Sequence, residues 1–220
     1  MLDCITLEPD SPATACVIWM HGLGADGNDF VPIVPELNLP TGHGVRFVFP
    51  NAPTMPVTIN GGYVMRAWYD IVSAELDKRA DEGGVRSSQA LIEELIADQR
   101  SKGIAADRIL LAGFSQGGVI ALQTGLRHPD KLAGIMALST YLACADSLGV
   151  EASAANRQIP LFMVHGSMDP VIPVALAKLS KARLETHGYK VEWHEYGMPH
   201  SVCAEEIDDI AAFLKRVLAL

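Results

Sequence analysis

A serine between two glycines, at the junction of a predicted strand and a predicted helix, constrains this chain more than any other feature. Ser115 is the centre of the stretch Gly113–Gly117, which reads Gly-Phe-Ser-Gln-Gly. The apolar run 108–112 predicts a buried strand before it, and residues 118–126 favour a helix after it. Because glycine has no Cβ atom, the two glycines permit a very sharp turn. In that context Gly-x-Ser-x-Gly predicts an exposed nucleophile for acyl transfer.

An acid and a base follow the serine in the order that this chemistry requires. The apolar run Pro160–Val164 predicts another buried strand, and Asp169 lies in the turn after it. Residues 190–196 alternate between polar and apolar side chains, as an edge strand does, and His200 lies in the following turn. Because the carboxyl ends of parallel strands meet at one edge of a sheet, we expect Ser115, Asp169 and His200 to lie together.

Each residue type in this trio has a chemical reason. A serine hydroxyl is a weak nucleophile at neutral pH, so an adjacent base must take its proton. Imidazole suits that task, and His200 is the candidate base. A buried carboxylate, here Asp169, would fix the imidazole tautomer and stabilise the imidazolium. Asp146 is a weaker candidate, because it follows no sharp strand end. A metal site of His165, Asp169 and His200 is an alternative, but the trio needs no metal, and we predict neither metal nor cofactor.

A glycine-rich turn near the beginning of the chain predicts an oxyanion hole. The apolar run Cys16–Met20 predicts a buried strand, and residues 21–27 after it read His-Gly-Leu-Gly-Ala-Asp-Gly. We assign one backbone N–H donor to Leu23 and the other to Gln116, the residue after the nucleophile. A phosphate-binding turn is the functional alternative, but the glycine spacing of nucleotide-binding loops is absent from this stretch.

Further motifs occur in order along nearly the whole chain. They are His21–Phe30, Phe49–Pro53, Ala67–Asp70, Gly113–Gly118, His165–Gly166, Asp169, Val171–Pro173 and Pro199–His200. With these motifs the chain resembles the small carboxylesterase/phospholipase family that includes the acyl-protein thioesterases, a group of α/β-hydrolases. The resemblance implies hydrolysis of carboxylic esters or thioesters with short to medium acyl chains, and it suggests a homodimer.

Length and composition favour a single domain over residues 1–220. The chain is 49% hydrophobic, which supplies ample core for one domain of this size. Apolar strands alternate with helical patterns, which favours an α/β fold with a mostly parallel sheet and helices on both faces. Residues 140–158 are too few to form a cap domain between two predicted strands. The helices are predicted at 84–102, 116–128, 174–186 and 204–217.

Charge, hydropathy and cysteine spacing limit the partners and the compartment. A net charge of −9, with 17 lysines and arginines in no basic cluster, disfavours nucleic acid and anionic membranes as partners. No apolar run approaches the ~20 residues that cross a bilayer, so we expect no stable membrane insertion. Without a signal-peptide pattern or zinc spacing, the four cysteines predict free thiols in a cytoplasmic protein. Cys203, near a predicted helix start, is the thiol whose pKa could be lowered.

Two loops supply candidates for substrate binding. Residues 51–68 form a long, turn-rich segment with apolar side chains that either line an acyl groove or pack the loop onto the core. From this segment we predict Tyr63, Met65 and Trp68 as groove residues. Tyr141 and Leu142, which follow another predicted strand, are placed at the groove edge. A groove without a cap would admit acyl chains attached to small molecules, protein or lysophospholipid.

The leading hypothesis is therefore a serine carboxylesterase or thioesterase that acts through an acyl-enzyme. An acyl-protein thioesterase and a lysophospholipase are narrower alternatives. A non-catalytic binding protein on the same fold is an alternative of a different class, because a fold alone does not fix a function. The three candidate residues at three separate strand ends disfavour it.

Overall fold

A mostly parallel, seven-stranded sheet forms the centre of the computed structural model, which describes residues 1–73 and 81–220. The strands of the described residues are β1 Cys4–Leu7, β2 Ala15–Met20, β3 Val45–Pro50, β4 Thr54–Val57, β5 Tyr63–Arg66, β6 Ile109–Phe114, β7 Gly134–Leu138, β8 Leu161–Gly166 and β9 Val191–Tyr196. The α-helices are α1 Ile33–Glu36, α2 Glu82–Ser101, α3 Gln116–Gly125, α4 Leu148–Glu151, α5 Val174–Thr186 and α6 Ala204–Val217.

The sheet has the strand order β1-β3-β2-β6-β7-β8-β9. All neighbouring pairs are parallel except β1 and β3, which pair antiparallel at one edge. Parallel strands need helical crossovers, and these crossovers cover both faces of the sheet. This arrangement explains why every residue of β2, β7 and β8 is buried and why β2 and β7 are continuous apolar runs. The predicted α/β fold class is confirmed.

Two apolar clusters lie on the two faces of the sheet. Successive side chains of a strand point to opposite faces, so neighbours along one strand enter different clusters. In β2, Ile18 packs in the cluster that includes Ile120 of α3, whereas Trp19 packs in the cluster that includes Phe213 of α6. The central strands are therefore fixed from both sides, and their carboxyl ends form a firm edge for a site.

Two of the four predicted helices have the predicted bounds, whereas α2 differs at both ends and α3 at one; α2 ends at Ser101 rather than 102. Helix α2 begins at Glu82 rather than 84, because the Asp81 carboxylate accepts a hydrogen bond from the Gly84 N–H at 2.9 Å and caps the helix. Helix α3 ends at Gly125 rather than 128. The proline at 129 restricts the residue before it and favours this earlier end.

The segments on either side of the future site are compact. Residues 139–160, between β7 and β8, contain only short helical turns and α4, and so they form no cap. The predicted loop at 51–68 is instead a small antiparallel hairpin of β4 and β5 joined by a short 3-10 turn. None of the helices in the described part of the chain combines the length and apolarity that crossing a bilayer requires.

Candidate active site

Ser115 lies in the sharp turn between β6 and α3, with φ 55° and ψ −120°. This conformation is unfavourable for a residue with a side chain and persists only where the surroundings impose it. A Cβ atom on Gly113 would lie 2.1 Å from the Gly117 carbonyl carbon, and one on Gly117 would lie 2.3 Å from the Met20 carbonyl oxygen. The two glycines are therefore required by close backbone approach, and the predicted strand–turn–helix context is present.

Strand β7 and the residues after it hold the serine backbone in place. The Ser115 N–H donates to the Leu138 carbonyl at 2.9 Å. The Ser115 carbonyl accepts hydrogen bonds from the Thr140 hydroxyl at 2.7 Å and from the N–H groups of Gly118 and Val119 in α3 at 3.0 and 3.2 Å. The strained turn is thus stabilised by hydrogen bonds from both neighbouring elements.

Asp169 and His200 form a hydrogen-bonded pair at the carboxyl ends of β8 and β9. The His200 Nδ1 atom lies 2.6 Å from Asp169 Oδ2. The other carboxylate oxygen, Oδ1, accepts hydrogen bonds from the N–H groups of Val171 at 2.8 Å and Ile172 at 2.9 Å. Since an ionised carboxylate only accepts, Nδ1 carries the proton and Nε2 of His200 is left as an acceptor.

The structure brings Ser115 and His200 to one cavity of about 260 Å³. The Phe114 ring packs on the His200 ring, with centroids 4.7 Å apart. Ser115, Asp169 and His200 thus lie together at one edge of the sheet. Asp146, the alternative acid, lines a different cavity beside Arg183.

His165 is a second imidazole beside the Asp169 carboxylate, and its side chain is fully buried. Its Nε2 atom donates to the Ile172 carbonyl at 2.7 Å and lies 3.4 Å from Asp169 Oδ2. Burial lowers the pKa of His165, and this effect outweighs the Ile172 carbonyl and Asp169, which both raise it. The neutral ring is therefore favoured. Within residues 1–73 and 81–220, no three side chains of metal-ligating type form a group that could hold a metal ion.

The loop that carries Leu23 is fixed by the preceding histidine. His21 Nε2 accepts the Ala52 N–H at 3.0 Å, so its Nδ1 carries the proton and donates to the Gly22 carbonyl at 2.7 Å. Burial lowers the pKa of His21 and keeps the ring neutral, as this pattern requires. Leu23 lines the same cavity as Ser115 and His200.

Gln116 contributes more than the backbone N–H that the sequence suggests. Its side-chain oxygen accepts the Trp68 N–H at 3.0 Å, and its side-chain nitrogen donates to the Tyr69 carbonyl at 2.8 Å. The amide thereby fastens the segment after β5 to the beginning of α3. His21 is the first residue of the motif His21–Phe30, which draws attention to it, whereas no sequence pattern points to the Gln116 amide.

An apolar cavity of about 280 Å³ opens beside Ser115, and we name it the acyl cavity. Its floor includes the buried rings of Tyr69 and Tyr141, whose hydroxyl groups lie 3.0 Å apart. No charged side chain lines it. The lining residues are Leu23, Ile59, Asn60, Tyr69, Ile71, Ser115, Gln116, Tyr141, Val171 and Ile172.

Of the five predicted groove residues, only Tyr141 lies in the wall of the acyl cavity. Trp68 is fully buried, and its indole N–H donates to the His21 carbonyl at 2.8 Å, so it supports the His21 loop from beneath. Leu142 packs in the core. Tyr63 is 70% exposed on the β4–β5 hairpin, and Met65 is half-buried beside Gly24. None of these four side chains is among those that line the acyl cavity.

Two cavities adjoin His200, and we name them together the leaving-group groove. The first is the cavity of about 260 Å³ that Ser115 and His200 share. The second has about 280 Å³, lies beside Ser201, and is separate from the acyl cavity. Asp29, Phe114 and His200 line both. The site therefore has an uncharged side, the acyl cavity, and a side with a carboxylate, the leaving-group groove.

For Cys203, the sequence suggests a lowered pKa as one possibility and packing as the more favoured role. Cys203 is the residue before α6, and partial burial raises the pKa of its thiol, with the neighbouring Glu205 and Glu206 adding to this effect. Cys203 therefore lacks the electrostatics of a reactive thiol. All four cysteines are free thiols.

Comparison with known proteins agrees with this geometry. A family model described as phospholipase/carboxylesterase matches residues 3–218. Acyl-protein thioesterase 1 of Neurospora crassa is 42% identical over 214 residues, which cover 93% of this chain and 87% of that protein. Acyl-protein thioesterase 1 of Gibberella zeae is 38% identical over 217 residues, which cover 94% of this chain and 92% of that protein.

Solved structures give the same result. The crystal structure of Zea mays acyl-protein thioesterase 2 superposes with a TM-score of 0.87 at 27% identity, covering 99% of this chain and 100% of that one. The crystal structure of Arabidopsis thaliana SOBER1 also superposes with a TM-score of 0.87 at 27% identity, covering 93% of this chain and 99% of that one. The chain therefore belongs to the phospholipase/carboxylesterase family of α/β-hydrolases and is a serine hydrolase.

Proposed function

We propose that Ser115, His200 and Asp169 form the catalytic triad of a carboxylic ester or thioester hydrolase. The observation that carries the proposal is the strained Ser115 turn, which opens onto the same cavity as a His200 ring held by Asp169 at 2.6 Å. Residues with strained backbone conformations cluster at active sites, so the strain at Ser115 supports a functional role for its side chain.

The proposed first step acylates the serine. His200 Nε2 takes the proton of the Ser115 hydroxyl as its oxygen attacks the acyl carbon. The bond to the leaving alcohol or thiol then breaks, and the same proton passes from Nε2 to the leaving oxygen or sulfur. In the second step, a water molecule gives a proton to Nε2 and attacks the acyl-enzyme. The carboxylic acid leaves, and Ser115 recovers its proton.

The proposed oxyanion donors are the backbone N–H groups of Leu23 and Gln116. The support is positional, since Leu23 lies on a loop fixed by His21 and Gln116 begins α3. Each such donor stabilises the transition state by roughly 3 kcal/mol. Because both are backbone groups, side-chain substitution would act only through loop position.

We propose short to medium acyl chains for the acyl cavity. Its uncharged walls suit a hydrocarbon chain, and its buried Tyr69–Tyr141 floor limits the length that fits. An acyl-protein thioesterase or a lysophospholipase is the narrower form of this proposal, supported by the names of the relatives. We also propose a cytoplasmic location, supported by the four free cysteines, and a homodimer, which sedimentation velocity would test.

A fluorophosphonate probe tests the nucleophile directly. We expect wild-type protein to be labelled at Ser115, and Ser115→Ala to remain unlabelled and to lose on the order of 10⁶-fold in kcat. Ser87→Ala, an exposed helix serine, is the matched control and should be labelled normally. A wild-type protein that the probe does not label would favour a non-catalytic binding protein instead.

Matched series of esters and thioesters with increasing acyl length test the substrate. We expect kcat/KM to rise with chain length while the chain fills the acyl cavity and then to fall. Tyr141→Ala should move this maximum to longer chains, because it removes part of the floor. Tyr141→Phe, which keeps the ring, should leave the maximum in place. A maximum that is the same in both variants would place the acyl chain elsewhere.

A further inference from the structure

We infer that Asp29 selects the leaving group of the reaction, favouring neutral or positively charged alcohols and thiols over anionic ones. The inference rests on the proposed function, since it takes Ser115 as the nucleophile and His200 as the base. It goes beyond that function by naming the charge class of the group that leaves.

The direction of proton transfer assigns the two sides of the site. His200 must protonate the leaving oxygen or sulfur, so that atom has to lie on the side that His200 lines. His200 lines the leaving-group groove, whereas the acyl cavity includes Ser115 but not His200 in its wall. The acyl chain therefore occupies the uncharged cavity, and the leaving group extends along the groove that holds Asp29.

Asp29 is the carboxylate of that groove. The other side chains in its wall are uncharged, apart from the His200 imidazole. Partial burial raises the pKa of Asp29, an effect that His21 opposes and Asp26 reinforces. Within the described ranges 1–73 and 81–220, no lysine or arginine forms an ion pair with it. The carboxylate is therefore available to a positive charge or a hydrogen-bond donor on the substrate.

The expected effect is moderate because Asp29 is partly in contact with water. A unit charge on the substrate near a surface carboxylate gains or loses enough Coulomb energy to alter kcat/KM about fivefold. The net charge of −9 acts in the same direction over longer distances, but salt screens it. A control that removes a neighbouring carboxylate separates the local effect from this general one.

The test uses three octanoyl esters with the same acyl chain. One is octanoylcholine, the second carries a tert-butyl group in place of the trimethylammonium, and the third carries a sulfonate there. The measurement is kcat/KM at low ionic strength for wild type, Asp29→Asn, Asp29→Lys and the control Asp26→Asn. Asp26 lines neither cavity of the groove, and its Oδ1 atom accepts hydrogen bonds from Asn28 that an asparagine oxygen can also accept.

We expect the ratio of choline ester to sulfonate ester to fall about 25-fold in Asp29→Asn, because an attraction worth about fivefold and a repulsion worth about fivefold are both lost. The ratio should fall further in Asp29→Lys and stay within about twofold in Asp26→Asn. Ratios rather than absolute rates are compared, because the three esters differ in intrinsic reactivity. Raising the ionic strength to about 1 M, where charges are screened within about 3 Å, should reduce the wild-type ratio without any substitution.

Three results would overturn the inference alone. The first is a ratio that is the same in wild type and Asp29→Asn, and the second is a ratio that falls equally in Asp26→Asn. The third is a wild-type ratio that is insensitive to salt, which needs no variant to fold. Absence of turnover for all three esters would instead overturn the proposed function.

Discussion

At the scale of single residues, the two carboxylate oxygens of Asp169 have separate tasks. One accepts the N–H groups of Val171 and Ile172, and the other accepts the His200 ring. The first pair of hydrogen bonds prevents rotation of the carboxylate, so the loop position sets the direction of the imidazole. The acid thus acts through a fixed loop rather than as an isolated side chain.

We expect Asp169→Asn to lower kcat on the order of 10⁴-fold, because an amide in that place favours the wrong imidazole tautomer. Asp146→Asn is the matched control, since Asp146 lines a separate cavity, and its kcat should change little. Steady-state kinetics on one ester measure both variants. A larger loss for Asp146→Asn would move the orienting acid to that position.

His165 is a positioning residue for the same loop. His165→Phe leaves the buried Ile172 carbonyl without its partner, so we expect unfolding free energy to fall by about 1–3 kcal/mol. We also expect kcat to fall with little change in KM, because Asp169 loses a neighbour that confines it. His165→Gln, which retains an N–H donor, should recover part of kcat. Equal kcat values in the two variants would contradict a role for the hydrogen bond.

The positions of Ser115, Asp169 and His200 at strand ends could be predicted from sequence because their signals are local. Glycines, apolar runs and turns lie within a few residues of each. The side-chain task of Gln116 could not, because its partners are distant along the chain. The Gln116 amide, for example, binds residues 47 and 48 positions away.

At the scale of elements, the beginning of α6 buries a carboxyl group. Glu206 is fully buried, and its carboxylate oxygens make no hydrogen bond of normal geometry. Burial raises the pKa of Glu206 to about 8, opposed by the Cys203 backbone and reinforced by Asp209. The native protein therefore holds a proton on Glu206 at pH values where the unfolded chain has released it.

The pKa of Glu206 is higher in the folded than in the unfolded protein, so its contribution to the free energy of unfolding depends on pH. The contribution is fully present below pH ~4.5 and is lost as the pH rises towards about 8. The loss amounts to up to about 5 kcal/mol. We expect Glu206→Gln to flatten the pH dependence of unfolding free energy over this window. The exposed neighbour variant Glu205→Gln should keep the wild-type slope. Chemical denaturation at several pH values measures it, and parallel slopes for all three proteins would contradict the assignment.

The bounds of elements were less predictable than their existence. Helices α5 and α6 have the predicted ends, but α2 depends on a cap from Asp81 that precedes the periodic pattern. The β4–β5 hairpin was missed because β4 has only four residues and includes Pro56, which disfavours a strand assignment. The hairpin forms because β4 and β5 pair with each other, separately from the main sheet.

At the scale of the whole molecule, the parallel sheet could be predicted because apolar strands alternate with helices along the chain. The edge position of β9 also agrees with its alternating pattern. The shape of the cavities could not be predicted, since the acyl cavity combines residues from positions 23 to 172. Such a wall depends on which loops meet above the sheet, and local patterns do not contain that information.

Arg108 joins distant parts of the molecule on the opposite side from the site, before β6 begins. Its guanidinium donates to the Thr14 carbonyl at 3.2 Å, before β2, and to the Leu218 carbonyl at 2.7 Å, after α6. Three segments far apart in sequence are thereby held at one point. The ion pair of Arg100 with Asp130 differs, because both side chains are about half-exposed.

We expect Arg108→Ala to lower the free energy of unfolding by about 1–2 kcal/mol, because two backbone carbonyls lose a charged donor. Arg100→Ala removes the same charge from an exposed pair and should cost less than about 1 kcal/mol. Urea denaturation measures both, and kcat at low temperature should be unchanged in each, since neither residue lines the site cavities. Equal losses would mean that the link between the segments adds no stability beyond the removed charge. The larger loss for Arg108→Ala would show that a single side chain couples the beginnings of β2 and β6 to the end of α6.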